Sequence, residues 1–350
     1  MASARPSPII PTATAGKTSS HVAQKEANKA AIFQRLHPRI YLERFLEEKI
    51  RPDGRSIAQN DEGENAWRNV EVNVGGRCPL SLSYWLSEVS AFYHKGSITT
   101  ASGSALVRIG NTTVVCGVKA EICEPDLDNP SEGFLVPNVD LPALCSPKFK
   151  PGPPTEEAQV LSEKLNEVLG NGMLPLSSLC IHSGKSAWVL YVDATVINYD
   201  GNVFDATLLA MVCALKNVML PHACYDPDLN RTICTRPGVD PTKPSRKLVI
   251  QEDLVPYGFS FGVFACSHIL PDPSASEEPL LDTSISIILD SHAQVLAVSQ
   301  LGAGVDTEYE ASGPDLDNTP ARKADTLAEC ISLARNRLAI LLNKVYDTMN

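Results

Sequence analysis

The spacing of hydrophobic and polar positions changes period several times along the 350-residue chain. Residues 20–34, SHVAQKEANKAAIFQ, read as a helix with Ser20 at the N-cap. PRIYLERFLEEKI follows His37 as a second short helix, with Tyr41, Phe45 and Leu46 on one apolar face, and Pro52 and Gly54 in RPDG end it. From Val70 the period becomes that of strands. ALVRIGNTTVVCGVKAEI (105–122) predicts a hairpin turning at Gly110 and Asn111. EEAQVLSEKLNEVL (156–169) is an amphipathic helix with Val160, Leu161, Leu165 and Val168 on one face. WVLYVDATVINY (188–199) alternates as a strand, with Trp188, Leu190, Val192, Ala194 and Val196 inward. The next helix, Val203 to Asn217, is apolar almost all round, which predicts burial on every side.

Residues 219–245 are rich in Pro, Asp, Arg and Thr and read as a linker. Three short strands follow in GFSFGVFAC, SISIILD and QVLAVSQLG. A last helix is predicted from Pro320, at N1 behind Thr319, to Met349. Its apolar stripe is Leu327, Ile331, Ala334, Leu338, Leu341 and Val345. Strands, helix, strand, helix, then strands and a long helix predict an α+β fold of two packed halves. The expected division is a disordered tail over 1–19, an N-terminal domain over 20–245 and a C-terminal domain over 246–350.

Composition narrows the function. A 43% hydrophobic content supports a core, and a net charge of -11 argues against a free-standing nucleic-acid binder. It leaves room for a subunit that adds a few cations to a shared channel. No apolar run is long enough to span a bilayer. The first twenty residues lack the apolar stretch of a secretory signal, which predicts a reducing setting. Ten cysteines form no C-x-x-C pair, and Cys116, Cys180, Cys213, Cys266 and Cys330 lie inside apolar runs, where a thiol acts as a small hydrophobe. The seven histidines make no ligand spacing with cysteines, so no metal site and no cofactor are expected. Walker, H-E-x-x-H, G-x-S-x-G and G-x-G-x-x-G motifs are missing, and GAG at 302–304 reads as a strand exit.

One junction has the frame of an anion site. In NYDGNVFDATLLAMVCAL (198–215) a strand ends, a glycine turn follows, and a helix starts with its N–H groups free. RPDGR (51–55), by itself a solvated turn with two cations, joins GSALVRIGNTTVVCGVKAE (103–121), VPNVDLPALCSPKFKPGPPTEEAQV (136–160) and GKSAWVLYVDATVINYDGNVFDATLLAMVCALKN (184–217) in order. Together these segments resemble the RNase PH family, and within it the non-catalytic ring subunits of the exosome core, over roughly Leu36 to Lys344.

The resemblance implies an RNase PH fold: ribosomal protein S5 domain 2-like halves, two packed βαβ-type units. It implies as partners the other RNase PH-like exosome subunits of a six-membered ring, cap subunits with S1 and KH domains, and RNA threaded through the channel. No membrane is involved, and the implied setting is nucleus, nucleolus and cytoplasm. Active members cleave the RNA 3′ end with inorganic phosphate. They use a Gly-Ser/Thr-Arg-Ser turn, an aspartate of the second half, and arginines on the RNA backbone.

This chain keeps Gly201 but continues with Asn202, Val203, Phe204 and Asp205. Val203 stands where the arginine is needed and cannot neutralise a phosphate. Asn202 reads as an N-cap with Asp205 at N3, where a carboxylate favours the helix and repels phosphate. Asp272, near the family's aspartate position, and Glu277 and Glu278 read as solvated loop acids. Candidate RNA contacts are Lys148, Phe149 and Lys150, with Arg51 and Arg55; for the first three the alternative is a surface loop with Phe149 packed inward. Arg108, Lys119 and Lys185 read as salt-bridged or solvated. The function implied is structural, supporting 3′–5′ RNA processing and decay; the alternative is an active phosphate-dependent exoribonuclease. GRCPLSLSYWLSEVSAFYHK (76–95) interrupts the family pattern, either as a surface insertion or as a retained intron.

Overall fold

A computed structural model describes residues 29–57, 66–74, 98, 100–235, 245–265, 268–302 and 326–349. The tail over 1–19, the interruption at 76–95, Ser20, Cys266 and the stretch from Pro320 to 325 lie outside them. The chain divides between Gly54 and Arg55 into two units.

The first unit is helical over 29–36 and again in α1 (Pro38–Glu47), which starts on its proline because that residue lacks the N–H a first turn leaves unpaired. Leu42 and Leu46 are its buried residues, while Tyr41 and Phe45 are half-buried. The sequence placed Tyr41, Phe45 and Leu46 on one inward face, and only Leu46 of the three is fully enclosed.

The second unit begins with β1 (Val70–Val74), β2 (Gly103–Ile109) and β3 (Thr112–Cys123), an antiparallel meander whose hairpin turns at Gly110, φ 58°. β4 (Phe134–Asp140) leads into α2 (Glu156–Gly170), capped by Thr155 Oγ1 on the Ala158 N–H at 3.3 Å. After β5 (Cys180–His182) comes β6 (Ser186–Asn198), which pairs antiparallel with β3 and parallel with β4. The sheet order is β1-β2-β3-β6-β4, with β5 also on β6. On α2 Leu165 and Val168 are buried but Val160 is exposed, since only one side of the helix meets β4.

α3 (Val203–Lys216) follows the glycine turn and is buried at twelve positions. The stretch read as a linker carries strands β7 (Met219–Leu220), β8 (Ala223–Asp226) and β9 (Arg231–Cys234), and β10 (Arg246–Lys247) pairs back onto β7. A four-stranded antiparallel sheet of order β12-β11-β13-β14 follows, from β11 (Tyr257–Phe264), β12 (His268–Pro271), β13 (Thr283–Leu289) and β14 (Val295–Gly302). α4 (Thr326–Met349) packs on β1, β11 and β13, with Cys330, Ala334, Leu338, Leu341 and Val345 buried. Leu327, expected in this stripe, is 39% exposed.

α3 ties the halves together, because it packs on β2, β3 and β6 of the first sheet and on β11 of the second. Small residues allow this double contact. A Cβ at Gly103 would meet the Ala214 carbonyl at 2.6 Å, and one at Gly258 would meet Asp205 Oδ1 at 2.9 Å. Burial pushes the Cys213 thiol on this helix up to about 12, so it behaves as an inert apolar group. No helix among the described residues is long and apolar enough to cross a membrane. Gly103→Val should force α3 from β2 and cost about 1–3 kcal/mol in urea unfolding, as overpacked cores do; an unchanged midpoint would show that the contact relaxes freely.

Candidate functional site

The turn between β6 and α3 is held by a buried ionic network. Arg68, just before β1, closes on Asp272, just after β12: Nε donates to Oδ2 at 2.8 Å and Nη2 to Oδ1 at 2.6 Å, and the Arg68 N–H adds a third bond at 3.1 Å. The same guanidinium donates to the turn carbonyls of Asp200 at 2.6 Å and Gly201 at 3.2 Å. Thr112 Oγ1 donates to the Gly201 carbonyl at 2.7 Å. Arg55 donates to the Asp272 carbonyl at 2.8 Å and lies 3.6 Å from the Glu277 carboxylate. Behind Arg68, Arg337 donates to its carbonyl at 2.9 Å and stacks over Trp67, which meets Phe259 and Phe261 edge-on.

Gly201 has φ 79°, and a Cβ there would meet the backbone of Ser274 and Ala275 at 2.5 Å. Glycine is therefore required both by the left-handed backbone and by the acidic loop pressed against the turn. Asn202 is also left-handed, φ 51°, and its side chain makes no capping bond. Its Nδ2 instead donates to Asp205 Oδ2 at 2.8 Å and to Asp272 Oδ1 at 2.7 Å, so the N-cap expectation is corrected: the amide is turned into the seam between the halves. The Asp205 carboxylate is buried rather than facing incoming anions, and it accepts from the Ser260 N–H at 2.8 Å and hydroxyl at 2.9 Å. Val203 is buried and Phe204 half-buried.

Asp272, Glu277 and Glu278 are not solvated loop acids. Asp272 is 1% and Glu277 2% exposed, because their loop folds onto the turn and each carboxylate finds donors there. Glu277 Oε2 accepts from the Ser274 N–H at 2.8 Å. Glu278 accepts from the Asn202 N–H at 2.7 Å and from the Tyr199 hydroxyl at 2.7 Å. A carboxylate of the chain itself thus occupies the N–H where the helix begins.

The electrostatics divide these acids. Burial alone would raise Asp272, but the Arg68 bond and charge, with Arg55 and Asn202, hold it at about 2. For Asp205 burial prevails over its bonds to Asn202 and Ser260, and the Asp272 charge adds to it, pushing the carboxyl up to about 6. Glu278 is raised by burial, against the Asn202 and Tyr199 bonds.

The candidate RNA contacts are rearranged too. Phe149 is buried and packs edge-on against Tyr199 at 5.4 Å, so its face is closed to a base. Lys148, half-exposed, pairs with Glu157 at 2.6 Å and lies over the Tyr199 ring at 5.5 Å, and Lys150 is exposed. Arg51 is fully buried and Arg55 belongs to the network, so RPDGR is not the solvated turn it resembles in sequence. Of the other cations, Lys119 pairs with Glu121 and Arg108 donates to the Gly110 carbonyl. Among the described residues no group of three or more His, Cys, Asp or Glu is placed to hold a metal. Arg68, Tyr199 and Ser260 are site residues the sequence did not announce. Arg68 lies 204 positions from Asp272, beyond the reach of any spacing rule.

The fold and this turn agree with known proteins. The model of the 3′ exoribonuclease family, domain 1 (RNase PH), matches residues 90–221. Over 287 residues the chain is 37% identical to exosome complex component rrp43 of Schizosaccharomyces pombe, covering 82% of this chain and 92% of that protein. The chain belongs to the RNase PH family. Exosome complex component Rrp42 of Methanopyrus kandleri is 35% identical over 213 residues, 59% of this chain and 73% of the relative. Among solved structures, the Archaeoglobus fulgidus exosome with RNA bound to the active site aligns with TM-score 0.60 and 27% identity, over 87% of this chain and 96% of that one. An archaeal exosome core aligns with TM-score 0.61 at 22% identity, over 91% and 99%, a likeness of fold. Similarity to the rrp43 component agrees with PGPPTEEAQV and with the short helix before RPDGR. As an RNase PH family chain, this protein keeps the family's turn and fills it differently.

Two outcomes follow. Arg68→Ala leaves Asp272 buried without its main partner and should cost about 3–5 kcal/mol, whereas Arg68→Met with Asp272→Leu should recover much of the loss; urea unfolding of the three variants measures it. Asp205 titrates at about 6 folded against 3.8 as an ordinary aspartate, so folding holds its proton between those values. Its contribution to stability therefore falls as pH rises from about 4 to 6, by roughly 3 kcal/mol in all. Asp272 has the opposite sign: its stabilisation is full above about 4 and is lost as pH falls towards 2. Between pH 5 and 7, urea midpoints of wild type should decline relative to those of Asp205→Asn; parallel curves would contradict the assignment.

Proposed function

We propose that this chain is a non-catalytic RNase PH-like subunit of an RNA exosome ring, which helps close the six-subunit ring and line the path of RNA to a nuclease elsewhere. Similarity to exosome components over most of their length supports the assembly. The observation that carries the non-catalytic reading is the filled turn. Arg55 and Arg68 are bound to Asp272 and Glu277, the Asn202 N–H is taken by Glu278, and Val203 supplies no donor beyond its backbone. A phosphate entering here would meet four carboxylates against two arginines already paired with them. In this reading Lys148 and Lys150 contact RNA phosphates without base stacking. The role extends to ribosomal RNA maturation and 3′–5′ decay in nucleus, nucleolus and cytoplasm, in line with the family resemblance.

The competing reading, an active phosphate-dependent exoribonuclease, requires a phosphate site built elsewhere or borrowed across an interface. The purified chain, alone and with its pairing subunit, is incubated with RNA and inorganic phosphate. No phosphate-dependent release of nucleoside diphosphates is expected once the partner's active site is mutated. Release that survives that mutation overturns the proposal.

A further inference from the structure

The N-terminal unit carries a surface for which the turn has no use. The His37 N–H donates to the Phe33 carbonyl at 2.8 Å and the Tyr41 N–H to the His37 carbonyl at 3.0 Å, so helical bonding passes through the junction at Pro38. Residues four apart therefore stay on one face across it. One face is an aromatic ladder: Phe33, His37 and Tyr41, then Phe45, with the Arg44 guanidinium 5.0 Å from the Phe33 ring. Leu42 and Leu46 are buried on another. The third is Ile32, Leu36 and Ile40, at 57%, 68% and 45% exposure. Single exposed aliphatic residues are ordinary on a protein surface. Three in helical register over successive turns form a ridge of the kind that docks.

The charges beside the ridge are of one sign. Between 29 and 42 the chain places Lys29, Arg35 and Arg39 and no carboxylate, in a protein of net charge -11. The next acid, Glu43, lies 3.9 Å from Arg39.

We propose that residues 29–40 are a docking ridge for a neighbouring RNase PH-like subunit, seated in an apolar groove with a carboxylate rim. This rests on the ring-subunit reading and names a surface that carries it. Aliphatic side chains offer a nucleic acid no stacking plane, whereas an apolar groove buries them and rim carboxylates match the three cations. The fold itself provides such a groove, as the second unit of this chain shows. Between β4 and α2 lies a groove of about 410 Å³ walled by Val136, Pro137 and Ala158, with Glu163 at its rim. Its strand edge is closed to strand addition, because Pro137 has no N–H and the Val139 N–H is held by Ser162 Oγ at 3.0 Å. A helix laid in the groove is the mode of binding that such an edge leaves open.

The test uses the full chain, tagged and co-expressed with the RNase PH-like subunits of its complex. Two variants are compared with wild type: Ile32→Asp/Leu36→Asp/Ile40→Asp, and Lys29→Glu/Arg35→Glu/Arg39→Glu. Folding is checked by circular dichroism, and zero-length carbodiimide crosslinking with mass spectrometry locates the partner of Lys29. Both variants should lose at least tenfold of one neighbouring subunit, and Lys29 of the wild type should link to a carboxylate of that subunit. Wild type that recovers no RNase PH-like subunit overturns the functional reading and the docking with it. Wild type and both variants recovering the subunits equally overturns the docking alone. Ultraviolet crosslinking of residues 29–40 to RNA, with subunits retained in both variants, also overturns it. Should the aspartate variant fail to fold, the charge-reversed variant and the Lys29 crosslink decide.

Discussion

A guanidinium and a carboxylate that are 204 residues apart in the chain meet where water is excluded, and most of the central seam is arranged around them. Burying either charge alone would be prohibitive, so each must find the other together with enough donors and acceptors to complete both. Arg68 meets this by using its whole fork: two bonds to Asp272, two to the carbonyls of the turn and one to Thr112. Asp272 meets it from a left-handed backbone, φ 52°, which aims the carboxylate inward while Arg55 holds the peptide carbonyl. The start of β1, the end of β12 and the start of α3 are thereby held at one point. The apolar contacts around them, Trp67 on Phe259 and Phe261 and α3 between two sheets, exclude the water that would weaken the pair.

That arrangement also decides what the turn can do. A helix start with exposed N–H groups is an anion site by construction. Here the anions are internal. Glu278 takes the Asn202 N–H, Asp205 is turned towards Ser260, and the loop carrying Asp272 to Glu278 is pressed so close that Gly201 has no room for a side chain. The frame of a phosphate site has become a joint between the halves, because the same N–H groups and cations that would grip a ligand satisfy carboxylates of the fold.

Much of the fold was legible from residue order. The hairpin around Gly110 and Asn111, the strand from Trp188, the buried helix from Val203 and the three strands after Tyr257 follow from period and turn chemistry, which act over a few residues. The short strands β7 to β10 were not legible, because Pro, Asp and Thr mark turns more strongly than two- to four-residue pairings mark strands. Val160 looked inward because helical spacing gives the direction of a face but not the width of the surface covering it. Phe149 had two readings, solvent-facing or inward, and Tyr199, fifty positions on, selects the inward one.

The sequence by itself determined the element types, the α+β class, the family, and the missing cation at Val203, since each depends on residues close together or on motifs in order. Tertiary structure decided the state of the charges. Asp272, Glu277 and Glu278 are hydrophilic in any local reading and buried in the folded chain. Arg51 and Arg55 resemble a solvated turn and are enclosed. The cost of burying a charge depends on the partner it meets, and in this protein those partners come from the far half of the chain.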